Sequence, residues 1–105
     1  MRLSLGEFKR SLMDEEPPAG LTSALRALWW TGKGNWEAAH KIVMDEPDRH
    51  SAWVHAYLHR VEGDLANAGY WYRQAGRAAA AGPIESEWET IAVELISERG
   101  HSPSV

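Results

Sequence analysis

Hydrophobic residues along the chain follow the spacing of helices rather than of strands. Leu5, Phe8 and Leu12 fall on one side of a short helix near the N-terminus. Trp88, Ile91 and Leu95 repeat that spacing near the C-terminus. Runs of Val, Ile and Thr bounded by turn residues, which would indicate strands, reach no useful length. The pattern predicts an all-α fold.

Side chains that cap helices divide the chain into six predicted helices. Ser4 with Glu7, and Ser86 with Glu89, fit the capping box that opens a helix. Pro17 lies in a linker after the first helix, because proline lacks the amide hydrogen that a helix interior needs. The N-caps expected for the four middle helices are Thr22 or Ser23, Asn35, Asp48 or Ser51, and Asp64.

A short motif occurs twice, at residues 34–39 and 63–68. Each copy reads Gly, Asn or Asp, an apolar residue, two variable positions and Ala. The Gly ends one helix, the polar residue caps the next, and the small Ala allows the two helices to approach closely. We therefore predict a single domain with two antiparallel helix hairpins in residues 21–77. A short N-terminal helix and a C-terminal helix over 84–99 would cover its ends, and residues 101–105 would form a tail.

The amino-acid composition excludes several kinds of partner and of reactive site. The 105 residues carry a net charge of −4, which argues against a nucleic-acid partner. The chain has no cysteine, so disulfides, thiolate metal sites and cysteine nucleophiles are excluded. The apolar runs are too short for a signal peptide or a membrane span. We expect a cytoplasmic protein that neither binds membranes nor needs a cofactor.

The turn motif resembles part of a tetratricopeptide repeat. Gly63 and Asp64, followed by Ala68, Tyr72 and Ala75, are similar to the second half of that repeat. The same turn recurs 29 residues earlier, and the resemblance covers residues 21–77. It implies a fold of tetratricopeptide-like hairpins and a protein or peptide as the binding partner. The segment WVHAYLHRVEGDLANAGYWYRQAG, residues 53–76, also resembles a family of small bacterial and fungal proteins without an assigned activity.

The fourth helix carries the most distinctive polar group. His55, His59 and Glu62 lie at i, i+4 and i+7, and helical geometry places them opposite an apolar arc that includes Trp53 and Val61. Two imidazoles and a carboxylate so spaced are candidate ligands for a divalent metal. The same residues also suit a groove that binds a partner, or a solvated face without a special role. We expect this face to point away from the core.

Three further residues bear on binding. His40 falls on the apolar side of the third helix, where a histidine is most often buried and satisfied by hydrogen bonds. Trp71 and Asn67 share one side of the fifth helix, a combination suited to an interface or a ligand cleft.

The function expected from these features is a non-catalytic module that binds a protein or peptide. Its groove would comprise the side chains of the second hairpin: His55, His59, Glu62, Asn67 and Trp71. The alternative is a small metal- or ligand-binding protein, or a small enzyme, that uses His55, His59 and Glu62 with or without His40. The six tryptophans exceed what two hairpins readily cover, so we also expect a homodimer.

Overall fold

The computed structural model describes residues 3–100, without the side chains of 98–100. This part of the chain forms six α-helices and no strand, which confirms the all-α class. The tail expected over 101–105 lies outside the described residues. The helices are α1 (Leu5–Ser11), α2 (Ser23–Gly32), α3 (Trp36–Val43), α4 (Arg49–Val61), α5 (Leu65–Ala75) and α6 (Ile84–Gly100).

Polar side chains cap the first five helices as predicted. Ser4 and Glu7 form a complete capping box, because each side chain bonds the backbone amide of the other residue. The N-caps of α2 to α5 each accept a hydrogen bond from the amide three residues further on, and they are Thr22, Asn35, Asp48 and Asp64. Local sequence therefore sets where these helices begin.

The cap of α6 differs from the prediction, although the helix begins where the predicted range 84–99 begins. The helix begins at Ile84, two residues before the expected cap Ser86. Pro83 precedes it, and the Pro83 carbonyl accepts the amides of Ser86 and Glu87. A proline at the edge of a first turn needs no hydrogen-bond partner for its nitrogen, so the helix can begin there without a polar cap.

The central element of the packing is α4. It contacts α2, α3, α5 and α6, while α1 packs against α6. One continuous core joins all six helices. Its largest fully buried apolar side chains are Trp29, Phe8, Leu25, Leu28, Leu58, Ile91, Val43 and Val54.

Burial of α4 on all sides contradicts the predicted orientation of its polar face. Every residue from 51 to 59 is buried, including His55 at 3% exposure and His59 at 8%. Val61, expected in the core, is 44% exposed. The predicted orientation assumes that α4 packs against the rest of the protein through one face only. The helix has neighbours on several sides, so its histidines lie inside the protein.

Three of the six tryptophans are buried within the single chain, and the other three are half-buried. Trp29 is fully buried and its indole nitrogen donates to Ser11 Oγ at 2.9 Å, which ties α2 to α1. Trp30 is half-buried and packs edge-on against Trp29. Adjacent helical residues cannot both face one core, and of this pair it is Trp29 that contacts the N-terminal helix.

A buried carboxylate joins α6 to the helices beside it. Glu87 accepts a hydrogen bond from the Tyr72 hydroxyl at 2.6 Å and another from Arg60 at 2.9 Å. Burial, together with this carboxylate, raises the pKa of Tyr72. Removing one member of such a network leaves a buried charge without its partner, which is strongly destabilising. The network therefore holds α6 in a defined position.

One finding concerns membranes. Among residues 3–100, no helix combines the length and the apolar character that crossing a bilayer requires.

Trp53 provides a test of the packing. Its side chain is 4% exposed, and truncating a buried aromatic costs about 3–5 kcal/mol. A small domain has a total stability of about 5–15 kcal/mol, so we expect Trp53→Ala to lower the denaturation midpoint sharply. Leu65, 68% exposed, gives a control: Leu65→Ala should change the unfolding free energy by no more than about 0.5 kcal/mol. Equal midpoints for wild type and Trp53→Ala would contradict the packing.

Candidate metal centre

Three histidines meet between α3 and α4. His40, His55 and His59 each offer a ring nitrogen, and these nitrogens lie within 4.8 Å of one another. The closest pair is the two Nε2 atoms of His40 and His55, which are 3.1 Å apart. The ring centroids of the three pairs are separated by 4.8, 4.9 and 5.6 Å. We call these three residues the histidine cluster.

The local sequence explains how the cluster forms. His55 and His59 are four residues apart on α4 and therefore share one face, on successive turns. His40 comes from α3, which folds back beside α2 after a tight turn. That turn contains Gly34 at φ +81°, a left-handed conformation that favours glycine.

Two tryptophans flank the cluster. Trp36 stacks on the His40 ring with centroids 4.7 Å apart, and Trp71 stacks on the His55 ring at 4.0 Å. The Trp36 indole is held in place because it donates a hydrogen bond to the Leu58 carbonyl at 2.8 Å. The imidazoles are thus enclosed by apolar surfaces, which fix the ring orientations and limit access of water.

Glu62 orients one member of the cluster. Its carboxylate lies 3.0 Å from His59 Nδ1, and the carboxylate is partly exposed while the imidazole is buried. When His59 is neutral, donation from Nδ1 to Glu62 leaves the lone pair on Nε2. Histidines that bind metals generally donate their second nitrogen to a carboxylate or carbonyl in this way.

His55 has one nitrogen without a partner in the structure. Its Nδ1 atom is buried and makes no hydrogen bond within residues 3–100, and the same is true of Ser51 Oγ. These residues lie one turn apart on α4, so the two atoms belong to the same side of the helix. Buried polar atoms nearly always have a partner.

Burial and repulsion from neighbouring imidazoles favour the neutral forms of His40 and His55 by lowering their pKa values. Desolvation, followed by the charges of His40 and His59, lowers the pKa of His55 to about 4. The pKa of His40 is also lowered, first by desolvation and then by His59, with Glu62 acting in the opposite direction. Neutral imidazole is the form that binds metal ions.

Comparison with known proteins adds no identification. No family model, curated protein or solved structure matches the chain significantly. Only the chemistry of the site therefore indicates a function.

The structure brings together four of the five residues predicted for the site. A chain of contacts runs from Trp71 to His55, from His55 to His59 and from His59 to Glu62. Asn67 does not join them, because it is exposed and its side-chain amide donates to Asp64 at 2.9 Å. Asn67 lies in the first turn of α5, where the N-cap Asp64 holds its side chain, so it does not face the cluster.

Two members of the site were less evident from sequence. His40 is half-buried and hydrogen-bonded, as its position on the apolar side of α3 predicted. The metal-binding alternative included His40, but its contact with His55 depends on the way α3 packs against α4. The stacking of Trp36 on His40 depends on the same packing.

A second group of potential metal ligands overlaps the first. His59, Glu62 and Asp64 also have ligand atoms within 4.8 Å of one another. Asp64 is already engaged as the N-cap of α5, where its oxygens accept hydrogen bonds from the backbone and side-chain amides of Asn67. The histidine cluster is therefore the better candidate, since its ring nitrogens have no such competing role in capping a helix.

Acid should destabilise the metal-free protein through His55. The pKa of this residue is about 4 when folded and about 6.5 when unfolded, so the unfolded chain takes up its proton first. The resulting stability is complete above pH 6.5 and is lost as pH falls from 6.5 towards 4. The shift corresponds to up to about 3 kcal/mol. Urea titrations in the presence of a chelator measure this loss.

The variant His55→Gln supplies the comparison, because Gln does not titrate. We expect its stability to fall less than that of the wild type over the same pH range. A loss as steep as the wild type's would mean that His55 does not carry the effect.

Proposed function

We propose that the protein binds a divalent transition-metal ion through His40, His55 and His59. The observation that carries the proposal is the convergence of three ring nitrogens from two helices, with His55 and His59 buried and His40 half-buried. This is the metal-binding alternative derived from the sequence, with His40 as a ligand and Glu62 behind His59. Two residues expected to line an exposed groove, His55 and His59, are buried, which weighs against a groove built on them.

The spacing of the nitrogens supports this proposal. At a tetrahedral zinc ion with Zn–N bonds of about 2.0–2.1 Å, two ligand nitrogens lie about 3.3 Å apart. His40 Nε2 and His55 Nε2 are 3.1 Å apart. His59 needs only a modest approach, because all three nitrogens lie within 4.8 Å of one another.

The ligand type favours particular metals. Three neutral imidazoles suit zinc, copper, nickel or iron, whereas magnesium and calcium prefer oxygen ligands. Three protein ligands leave a fourth tetrahedral position for water or a small molecule, which is typical of catalytic rather than structural zinc sites. A bound ion would thus act as a Lewis acid towards whatever occupies that position.

A second candidate function is a protein- or peptide-binding module with tetratricopeptide-like hairpins. Its support is the repeated turn: Gly34 and Gly63 have φ values of +81° and +86°, and each is followed by an N-cap, Asn35 or Asp64. Leu65 lies beside the second turn and is 68% exposed, so its apolar side chain is accessible to a partner. A homodimer is one form of this proposal, and a monomer in light scattering would contradict that form.

Metal uptake tests the proposed function directly. Protein without a histidine tag is stripped with a chelator and titrated with Zn²⁺, and bound zinc is measured by elemental analysis after dialysis. We expect about one zinc ion per chain and a higher melting temperature. A ligand at 100 times its dissociation constant stabilises the native state by about 2.7 kcal/mol. The absorption spectrum of the Co²⁺ form then reports the tetrahedral geometry.

Matched variants assign the ligands. His40→Ala should abolish uptake while preserving the fold, because His40 is the least buried of the three. His50→Ala alters a histidine on α4 outside the cluster and should retain full uptake. Glu62→Gln should weaken affinity by about 10–100-fold, the usual effect of removing a carboxylate behind a ligand. No zinc on the wild type, or equal uptake by wild type and His40→Ala, would contradict the proposal.

A further inference from the structure

A cleft lies on a different side of α4 from the histidine cluster. It is bounded by the N-terminal end of α4, the C-terminal end of α5, the loop over 77–83 and α6, and its volume is about 770 Å³. Trp53 lines it, and Trp53 points away from His55 because two residues along a helix are separated by about 200°. The volume falls within the usual range for sites that bind small molecules.

The acidic groups of the cleft already have cationic partners. Glu87 is buried and bonds Arg60 and the Tyr72 hydroxyl, as described above. Glu94, on the next turns of α6, forms an ion pair with Arg77. Since each carboxylate is paired, the acidic side of the cleft does not provide a free site for a cation.

Arg77 is held in a fixed position at the cleft. Its guanidinium carbon lies 3.5 Å from the centre of the Trp53 ring, in a cation–π arrangement, while Glu94 holds the group through the ion pair. A guanidinium fixed in this way loses little freedom when it donates its remaining hydrogen bonds to a ligand.

Arg49 carries a positive charge at the cleft that no carboxylate balances within residues 3–100. It is the first residue of α4, and within residues 3–100 its side chain forms no hydrogen bond or ion pair. Its Nη1 atom passes over Gly76, 3.5 Å from where a Cβ on that glycine would stand. Gly76 itself requires no side chain, because its φ of +73° is the left-handed conformation that ends α5. The Arg49 guanidinium thus lies beside Gly76 at the C-terminal end of α5, one residue before Arg77.

We propose that this cleft binds a small organic molecule through an oxyanion, either a carboxylate or a phosphate group. Arg49 would be the main contact, because its planar fork of N–H donors matches both kinds of oxyanion and no protein carboxylate competes for it. Arg77 supplies a second, fixed guanidinium. The site is separate from the metal centre and does not depend on metal binding.

The walls of the cleft restrict the rest of the ligand. Alanines at 75, 78, 80 and 81 line it, so its apolar part is shallow and has no deep hydrophobic pocket. Ser86 and Thr90 add hydroxyl groups on the α6 side. A compact ligand with one or two oxyanions and a short carbon skeleton fits these walls better than a long acyl chain does.

Titration with two simple probes tests the proposal. Inorganic phosphate and succinate are added separately to ¹⁵N-labelled protein at constant ionic strength, and amide and indole shifts are followed by NMR. We expect saturable shifts at Gly76, Arg77 and the Trp53 indole with at least one probe. The probe that saturates identifies a phosphate or a carboxylate ligand, and either result supports the site. Absence of saturable shifts with both probes would overturn it.

Two arginine variants separate a specific contact from general charge. Arg49→Gln should weaken binding of the effective probe by about 10-fold or more, the scale expected for a lost charge-assisted hydrogen bond. Arg10→Gln removes the same charge from the exposed surface of α1 and should bind like wild type. Equal affinities for wild type and Arg49→Gln, or equal weakening by both variants, would overturn the proposal. Because Arg49 is exposed, the variant is expected to fold, and its amide spectrum checks this directly.

Discussion

The structure depends on the enclosure of α4. Four other helices pack against this one, so polar side chains on it must find partners within the protein. His55 Nε2 does so with His40 and His59 Nδ1 with Glu62, whereas His55 Nδ1 and Ser51 Oγ have no partner within residues 3–100. On another side Trp53 supports Arg77. The histidine cluster and the cleft are both consequences of placing a helix with mixed polarity at the centre of a small domain.

Local features of the fold could be predicted from sequence because their causes are local. An N-cap acts within three residues, so the starts of α1 to α5 follow from single side chains such as Asn35 and Asp64. The cap predicted for α6 was wrong, because Ser86 fits a capping pattern that Pro83 makes unnecessary. Which helix would lie at the centre could not be predicted, since that depends on contacts between residues far apart in sequence.

The candidate site shows the same limit. Helical spacing correctly grouped His55 and His59, because residues four apart share a face in any helix. Spacing alone does not show whether that face contacts solvent or α3. The prediction that it points away from the core is wrong, because both histidines are buried. Asn67 lies one turn from Trp71 on α5, but its amide is held by Asp64 and makes no contact with the histidine cluster within residues 3–100. His40 enters the cluster only through packing between α3 and α4.

The stacking of the two tryptophans on the cluster has a spectroscopic consequence. The indole rings of Trp36 and Trp71 lie against the imidazoles of His40 and His55, at centroid distances of 4.7 and 4.0 Å. A protonated imidazole or a paramagnetic ion in contact with an indole quenches its fluorescence. The walls of the cluster therefore contain intrinsic fluorophores, and their emission reports the state of the histidines without an added label.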